Sequence, residues 1–481
     1  MELKSVLGRR DVLALAFGAI IGWGWVVLSG PMIDQAGTLG SIVAVLVAAV
    51  MVIFVGLAYA ELTSALPRAG GALAFTYLAL GPGWAWVCGW ALVLAYVGVC
   101  AFEAVAMATV VNYLLPGLRL GHLYSVAGSD VYLSWIVVGV LSALLVGVIN
   151  WVGVKTSARI QQAATWGLLL IGVAFFFASN INGTVENLHP HFTSSDGVLR
   201  VIILMPFLMV GFDIIPQTAE EIKIPLREVG KIILLSIFMA TAWYALVQWG
   251  VGLSLPPEVH ETSELPTADA AVHAFRFAPA AAVMVFGGLL GILTTWNAFL
   301  VGATRLLFGM GRAQMLPQIF ARIHPRYRTP IFGILFVTLC SLLAPFLGRK
   351  ALVWLANAAS LGVVVAYFLV SVSFVQLRRK HPQLPRPYRV RHGRLVGYAA
   401  TVITLLFILL YLPFSPSSLV WPQEWGIVLA WALLGIMAYA LGRLLHPAID
   451  RAAQERIILG QYATVPASTE SQSRPARLEQ P

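Results

Sequence analysis

The chain has 481 residues, 59% of them hydrophobic and only 11% charged, whereas a soluble globular chain carries about 25% charged residues. A chain this apolar cannot cover a water-facing surface and needs lipid around it. Its formal net charge of +10 would suggest nucleic acid in a soluble protein, but the basic residues lie in loops between apolar runs, and no nucleic-acid partner is expected.

A membrane span needs about 20 apolar residues, each adding ~1.5 Å across ~30 Å of hydrocarbon. Only helices and closed barrels satisfy every backbone group there. The apolar runs are far longer than barrel strands and do not alternate, so the fold expected is an all-α polytopic membrane protein. In chain order, twelve spans are predicted at Leu13–Met32, Gly40–Ala60, Trp84–Leu115, Tyr132–Trp151, Gln161–Ser179, Val201–Pro216, Ile232–Leu253, Pro279–Phe308, Ile331–Phe346, Ala351–Val375, Leu395–Tyr411 and Trp425–Leu444. The third and eighth are long enough to tilt strongly. Arg9-Arg10 before the first run superficially resembles an export signal. No small-residue cleavage site follows and many spans do, so this run reads as a span.

With both termini cytoplasmic, the outer loops hold five of the 31 Lys and Arg: Arg119, Arg200, Arg276, Arg349 and Lys350. That asymmetry fits the positive-inside rule and supports the span count. Residues 1–10 are then a short cytoplasmic N-terminus and 11–446 the transmembrane domain. Pro447–Pro481 is polar without an apolar period and is expected to be a disordered cytoplasmic tail. Cys88, Cys100 and Cys340 lie inside apolar runs without metal-like or disulfide-like spacing and read as core thiols. The sequon Asn182-Gly183-Thr184 faces outside in this topology, and His189-Pro190-His191 lacks further ligands nearby. No metal and no cofactor is expected.

Two spans are irregular. The first carries Gly18, Gly22, Gly24, Gly30 and Pro31; the sixth carries Pro206, Gly211 and Pro216. Five spans separate their starting points, so a repeat of five would insert its second copy upside down. Matching interruptions in inverted halves point to a transporter's binding site.

Ordered motifs along the chain sharpen this. Gly18-Ala19-Ile20-Ile21-Gly22-Trp23-Gly24 opens the series. Glu61-Leu62, Pro67-Arg68-Ala69-Gly70-Gly71, Gly81-Pro82 and Gly89-Trp90 follow. Next come Gly211-Phe212-Asp213, Ala219-Glu220-Glu221 and Pro225-Leu226-Arg227. Arg305, Gly311-Arg312, Leu316-Pro317, His324-Pro325 and Thr329-Pro330 precede the run from Leu377-Arg378-Arg379-Lys380-His381-Pro382 to Arg386-Pro387-Tyr388. In this order, over about residues 10 to 395, they resemble the amino acid–polyamine–organocation superfamily of secondary transporters. Trp23 stands where that family has a small residue, Trp25 replaces a smaller aliphatic one, and Leu73 and Phe75 replace tyrosines. Ile224 replaces an asparagine. A span-five lysine that takes the coupling proton in one branch is absent, Gly167 and Leu168 standing near its position.

The resemblance implies a LeuT-type fold: a five-plus-five inverted repeat over about 11–180 and 197–377, plus two additional helices over about 395–444. An unwound first span exposes N–H groups at the positive end of a helix dipole and suits a carboxylate. The substrate-binding residues expected there are Ile21, Gly22, Trp23, Gly24 and Trp25. The resemblance adds Tyr96 and Cys100 on the facing side of span three, Phe207, Gly211 and Phe212 in span six, and Asn297 and Phe299 in span eight. Glu103, an acid in mid-span at a cost of roughly 2.5–3.5 kcal/mol on insertion scales, either holds a substrate amine, carries a proton or locks helices together. Asp213 either serves coupling or caps the second half-helix. Thr294 and Thr295 either give oxygen ligands to sodium or bond their own helix. Glu220, Glu221, Lys223 and Arg227 are expected to form an inner charged gate or a solvated helix start, and Glu61 to pair with an arginine at the same end.

The function implied is that of a permease moving a small amine-containing substrate, an amino acid foremost, across the cell membrane by alternating access with protons. The alternatives are sodium-coupled symport or exchange of amino acids, polyamines or ethanolamine-like amines. An intramembrane enzyme would need clustered catalytic groups, and a channel a repeated pore-lining pattern; the sequence has neither.

Overall fold

The computed structural model describes residues 7–463 apart from 116, 118, 153, 261–262, 264, 416–417 and 446–448. The chain is nearly all helix: α1 (Arg9–Ile20), α2 (Gly24–Val27), α3 (Ser29–Ala36), α4 (Thr38–Ala65), α5 (Gly71–Leu80) and α6 (Pro82–Leu114) come first. A short hairpin, β1 (His122–Val126) and β2 (Ser129–Tyr132), precedes α7 (Leu133–Val152) and α8 (Val154–Asn182). Then come α9 (Ser195–Met209), α10 (Ile214–Gln217), α11 (Leu226–Ser254), α12 (Pro257–His260), α13 (Pro266–Phe275) and α14 (Ala280–Arg312). The chain ends through α15 (Ile331–Leu343), α16 (Ala351–Lys380), α17 (Gly393–Tyr411), α18 (Gln423–Leu445) and α19 (Arg451–Leu459).

Eleven helical stretches among the described residues are long and apolar enough to cross a membrane. The expected ninth span is shorter, running Ile331–Leu347 once its last turn is counted. That turn, Ala344–Leu347, tightens to a 3-10 helix at Pro345, which lacks the N–H an α-helix needs. The protein is an all-α, multi-pass membrane protein. Its outward faces carry exposed Leu46, Leu141, Leu145, Val148, Leu433 and Ile436, a surface that water would not tolerate and lipid does. The last span, α18, is the most peripheral, with 11% of its apolar window buried. Paired indoles moor it to α6: Trp90 Nε1 donates to the Trp431 carbonyl at 2.9 Å, Trp431 Nε1 returns the bond to Trp90 at 3.1 Å, and the rings stack at 4.8 Å.

Hydrogen bonds sort the connections into two ends. At one end Thr38 and Gly40 donate to Pro190 and His191, Thr184 donates to Leu253, and Lys350 reaches Ala127 of the hairpin. At the other, Leu7 pairs with Ile222, Arg68 meets Glu220 at 3.2 Å, and Thr329 donates to Trp151. The second end carries the buried ion pairs. Glu61, fully buried, accepts from Arg378 Nε at 2.9 Å, from Val390 N at 2.8 Å and from Arg386 at 3.1 Å. Burial in that loop pushes the Arg386 guanidinium below its ordinary value, with Glu61 opposing the shift. Glu221 pairs with Arg305 at 2.7 Å, both within 2% exposure. The expected pairing of Glu61 with an arginine is therefore present, and the acids after span six are engaged.

The C-terminal expectation is corrected in part. Where 447–481 reads as disordered, Asp450 caps α19 by accepting from Ala452 N, and Ile458 and Leu459 are buried. Arg68 satisfies the carbonyls that α19 leaves open, donating to Ile457 and Ile458 at 3.2 Å each, as a cation suits a helix C-terminus. Gln454 donates to the Ala313 carbonyl at 2.7 Å and accepts from Tyr77 at 3.2 Å. Residues 464–481 lie outside the described residues.

Candidate functional site

Both irregular spans are broken. Helix α1 ends at Ile20, and Ile21–Trp23 are non-helical before α2 begins at Gly24. Helix α9 ends at Met209, and Val210–Asp213 separate it from α10. The two breaks touch. Gly211, at φ +141°, lies so close to the end of α1 that a β-carbon there would meet Ile20 N at 2.8 Å. Only glycine combines that backbone angle with that proximity. Gly291 on α14 admits the first break in the same way, since a β-carbon there would meet the Gly22 carbonyl at 2.6 Å.

Beside the first break, against the end of α9, lies a small buried cavity of about 20 Å³, lined by Gly22, Gly24, Val99, Phe102, Glu103, Phe207, Leu208, Tyr244, Thr295 and Phe299 beside the last turn of α1. That volume is room for about one water. Its walls are apolar and aromatic, with Phe102 and Phe207 edge to face at 5.0 Å. Glu103 is the acidic residue among them. It is 1% exposed, its carboxyl lies beside the Trp23 backbone N–H, and its Oε2 has no hydrogen-bond partner.

Of the residues expected at the site, Gly22, Gly24, Glu103, Phe207, Thr295 and Phe299 meet around this cavity. Ile21, Trp23 and Trp25 are buried but do not line it. The Trp23 indole packs against Gly288 of α14, and that of Trp25 meets Trp243 edge to face at 5.3 Å. The bulk of the Trp23 indole is thus accommodated by a glycine on the neighbouring helix. Cys100 is buried with its Sγ 3.9 Å from the Trp296 carbonyl, also away from the cavity lining.

Tyr96, Gly211, Phe212 and Asp213 form a second cluster. Asp213 Oδ2 accepts from the Tyr96 hydroxyl at 2.6 Å and Oδ1 accepts from Gly211 N at 2.9 Å. Asp213 makes no side-chain cap on α10, so the capping expectation fails: its carboxylate holds the break itself. The rings of Tyr59 and Tyr367 enclose Phe212 at 5.7 and 5.5 Å. Tyr96 also meets Phe299 at 5.2 Å, which joins this cluster to the cavity wall. Tyr96→Phe is expected to leave Oδ2 of Asp213 without its donor, at a cost of about 1–3 kcal/mol, read as a lower unfolding midpoint in detergent.

The hydroxyls of α14 divide. Thr294 bonds its own helix at Gly291 O, 2.9 Å, whereas Thr295 donates to the Gly18 and Ala19 carbonyls at 3.0 and 3.2 Å. Asn297 sits in a chain of neutral amides, accepting from Asn150 and donating to Gln161, both at 3.0 Å. Gln161 then donates to Ala14 O at 3.3 Å. Among the described residues no three His, Cys, Asp or Glu gather as metal ligands.

Sequence reasoning missed Tyr244, Val99, Phe102 and Leu208. Tyr244 donates its hydroxyl to the Ile20 carbonyl at 3.0 Å and so satisfies an acceptor that the broken helix leaves open. A phenol in mid-span needs a buried partner, and that requirement was the available signal. Val99, Phe102 and Leu208 have no such mark in an apolar run.

The comparisons agree with this architecture. The sequence profile described as "Amino acid permease" matches residues 7–438. The branched-chain amino acid permease BcaP of Bacillus subtilis (strain 168) is 28% identical over 94% of this chain and 95% of its own length. The methylthioribose transporter of the same organism is 25% identical over 94% and 96%. Cationic amino acid transporter 4 of Mus musculus is 28% identical over 78% of this chain and 60% of its own. A profile that takes in both breaks, the cavity wall and the paired charges leaves one conclusion: the chain belongs to the amino acid permease family of the amino acid–polyamine–organocation superfamily, transporters rather than enzymes.

Proposed function

We propose that this protein is a secondary active transporter that carries a small amine-bearing substrate, an amino acid foremost, by alternating access, with a proton as the coupling ion. The observation that carries the reading is the pair of helix breaks in contact, with a small buried cavity beside the first and a buried acid in its wall. Backbone groups freed in this way serve a polar substrate at the middle of a membrane. Two full relatives whose names read "branched-chain amino acid permease" and "methylthioribose transporter" support carriage of a small organic solute. The broken helices are taken as equivalent elements of two inverted five-span repeats, about 11–180 and 197–377, with α17 and α18 as the additional pair. The end rich in Lys and Arg, with both termini, is cytoplasmic by the positive-inside rule, and the membrane is the cell's own.

Glu103 and Asp213 are the acids at the breaks and so the proton candidates. Thr295 with the Gly18 and Ala19 carbonyls offers converging oxygens, which favours sodium as a second reading. Proteoliposomes preloaded with substrate decide between them. Saturable uptake and counterflow are expected with at least one amino acid, accelerated by an inward proton gradient and indifferent to sodium. Acceleration by sodium alone moves coupling to Thr295, and uptake that never saturates overturns the carrier reading.

A further inference from the structure

We propose that the Glu103 carboxyl is a built-in stand-in for the substrate's carboxylate, and that its displacement makes the site select zwitterions. The inference rests on the carrier reading above and names the substrate class: an apolar α-amino acid with both its ammonium and its carboxylate.

The placement is unusual for a side chain. A β-carbon at Gly22 would lie 2.5 Å from Glu103 Oε1 and 3.0 Å from Thr295 Oγ1. The carboxyl is therefore pressed against the unwound peptide, beside the Trp23 N–H. This freed N–H at the break offers itself to a carboxylate, and here the protein supplies one. The other oxygen, Oε2, is buried without a partner, and such an atom carries an unmet demand for a donor.

A zwitterion resolves both conditions together. Its carboxylate takes the Trp23 N–H, Glu103 swings off the break, and the freed carboxyl finds the substrate's ammonium. A carboxylic acid without an amine would evict Glu103 and leave it buried with no partner, which is costly. An amine without a carboxylate would reach Glu103 only through Oε2, in its seat against Gly22, and would bring no group to take its place at the break. A site whose buried polar groups go unpaired rejects such half-substrates strongly. The rest of the substrate meets Val99, Phe102, Phe207, Leu208 and Phe299, an apolar wall in which the Tyr244 and Thr295 hydroxyls are already spent on carbonyls of α1.

Three probes test this on the full-length protein in detergent and in proteoliposomes: L-leucine, its deaminated counterpart 4-methylpentanoate, and its decarboxylated counterpart isopentylamine. The wild type is expected to bind leucine at least 100-fold more tightly than either half. Glu103→Ala frees the break, and 4-methylpentanoate is expected to gain tenfold or more in binding. Glu103→Gln keeps the shape and the acceptor for Trp23 but offers the ammonium no charge. It is expected to lose leucine affinity tenfold or more with no gain for the acid. Because selectivity is a ratio within one protein, a general loss of folding does not imitate these results.

An unchanged preference among the three probes in Glu103→Ala overturns the proposal. So does tight binding of isopentylamine to the wild type that vanishes in Glu103→Gln, which would make Glu103 a fixed counter-ion for amines. If no amino acid saturates in the wild type, the carrier reading fails by itself. The gain of 4-methylpentanoate binding in Glu103→Ala is still read directly, and its absence overturns the stand-in.

Discussion

Replacing Arg305 by alanine is expected to destabilise the folded protein by about 3–5 kcal/mol, the penalty for leaving one member of a buried ion pair uncompensated. Arg305 holds Glu221 through Nε at 2.7 Å and through a second contact at 3.4 Å, and it spends a further donor on Thr304 at 3.0 Å. Neither ion is exposed beyond 2%, so water cannot replace what the alanine removes. The loss is to be read as a lower unfolding midpoint in detergent and less monodisperse protein at equal expression. A double variant, Glu221→Gln with Arg305→Met, removes both charges and is expected to recover most of the stability. Failure of the double variant to do better than Arg305→Ala would mean that the pair acts through shape and not through charge. The pair joins the segment after the second break to α14, so the double variant also separates stability from gating. A variant that is stable yet slower in counterflow assigns the pair a part in opening this end.

Gly211→Ala is expected to lower uptake by at least tenfold at equal amounts of folded protein. Two costs add. A φ of +141° strains any residue with a β-carbon by about 1–3 kcal/mol, and that carbon would also press on Ile20 N, at 2.8 Å, and on the Ala19 carbonyl carbon, at 2.9 Å. Gly81 is the internal control. Its φ is +91°, and a β-carbon there meets nothing within 4 Å. Gly81→Ala therefore reports backbone strain alone, while Gly211→Ala reports strain plus a wedge driven between the two breaks. Equal effects from both substitutions would remove the contact between the breaks from the mechanism.

The spans were legible because lipid imposes one requirement on all of them, a long apolar run, and composition shows it directly. The breaks were legible because Gly22, Gly24 and Gly211 weaken a helix by chemistry that is local. What the sequence hid depends on partners far along the chain. Helix α13 is short and Ala-rich, yet it is buried, and Thr267 donates to the Trp25 carbonyl at 2.9 Å; nothing near Pro266 announces that contact. The β1–β2 hairpin was equally silent. Trp23 and Trp25 read as pocket walls because indoles are large, but Gly288 and Trp243 draw both away. Glu103 stood out as an acid in mid-span, while its seat against Gly22 required two helices to be brought together. Helix α19 escaped because its apolar stretch, Ile457 to Leu459, is too short to show a period, and its carbonyls are satisfied by Arg68, almost 400 residues earlier.

That last contact bears on where the chain can be cut or extended. A reporter spliced directly after Leu445, where the final span ends, would discard the helix whose Gln454 joins Tyr77 to Ala313 and whose last carbonyls engage Arg68. Among the described residues Arg68 would keep Glu220 alone, and the α4–α5 connection, α5 and the end of α14 would lose their common strut. A fusion joined after Ala463 leaves every one of these bonds in place, so the fourteen residues from Asp450 to Ala463 belong to the transporter's working body and not to its trailing end.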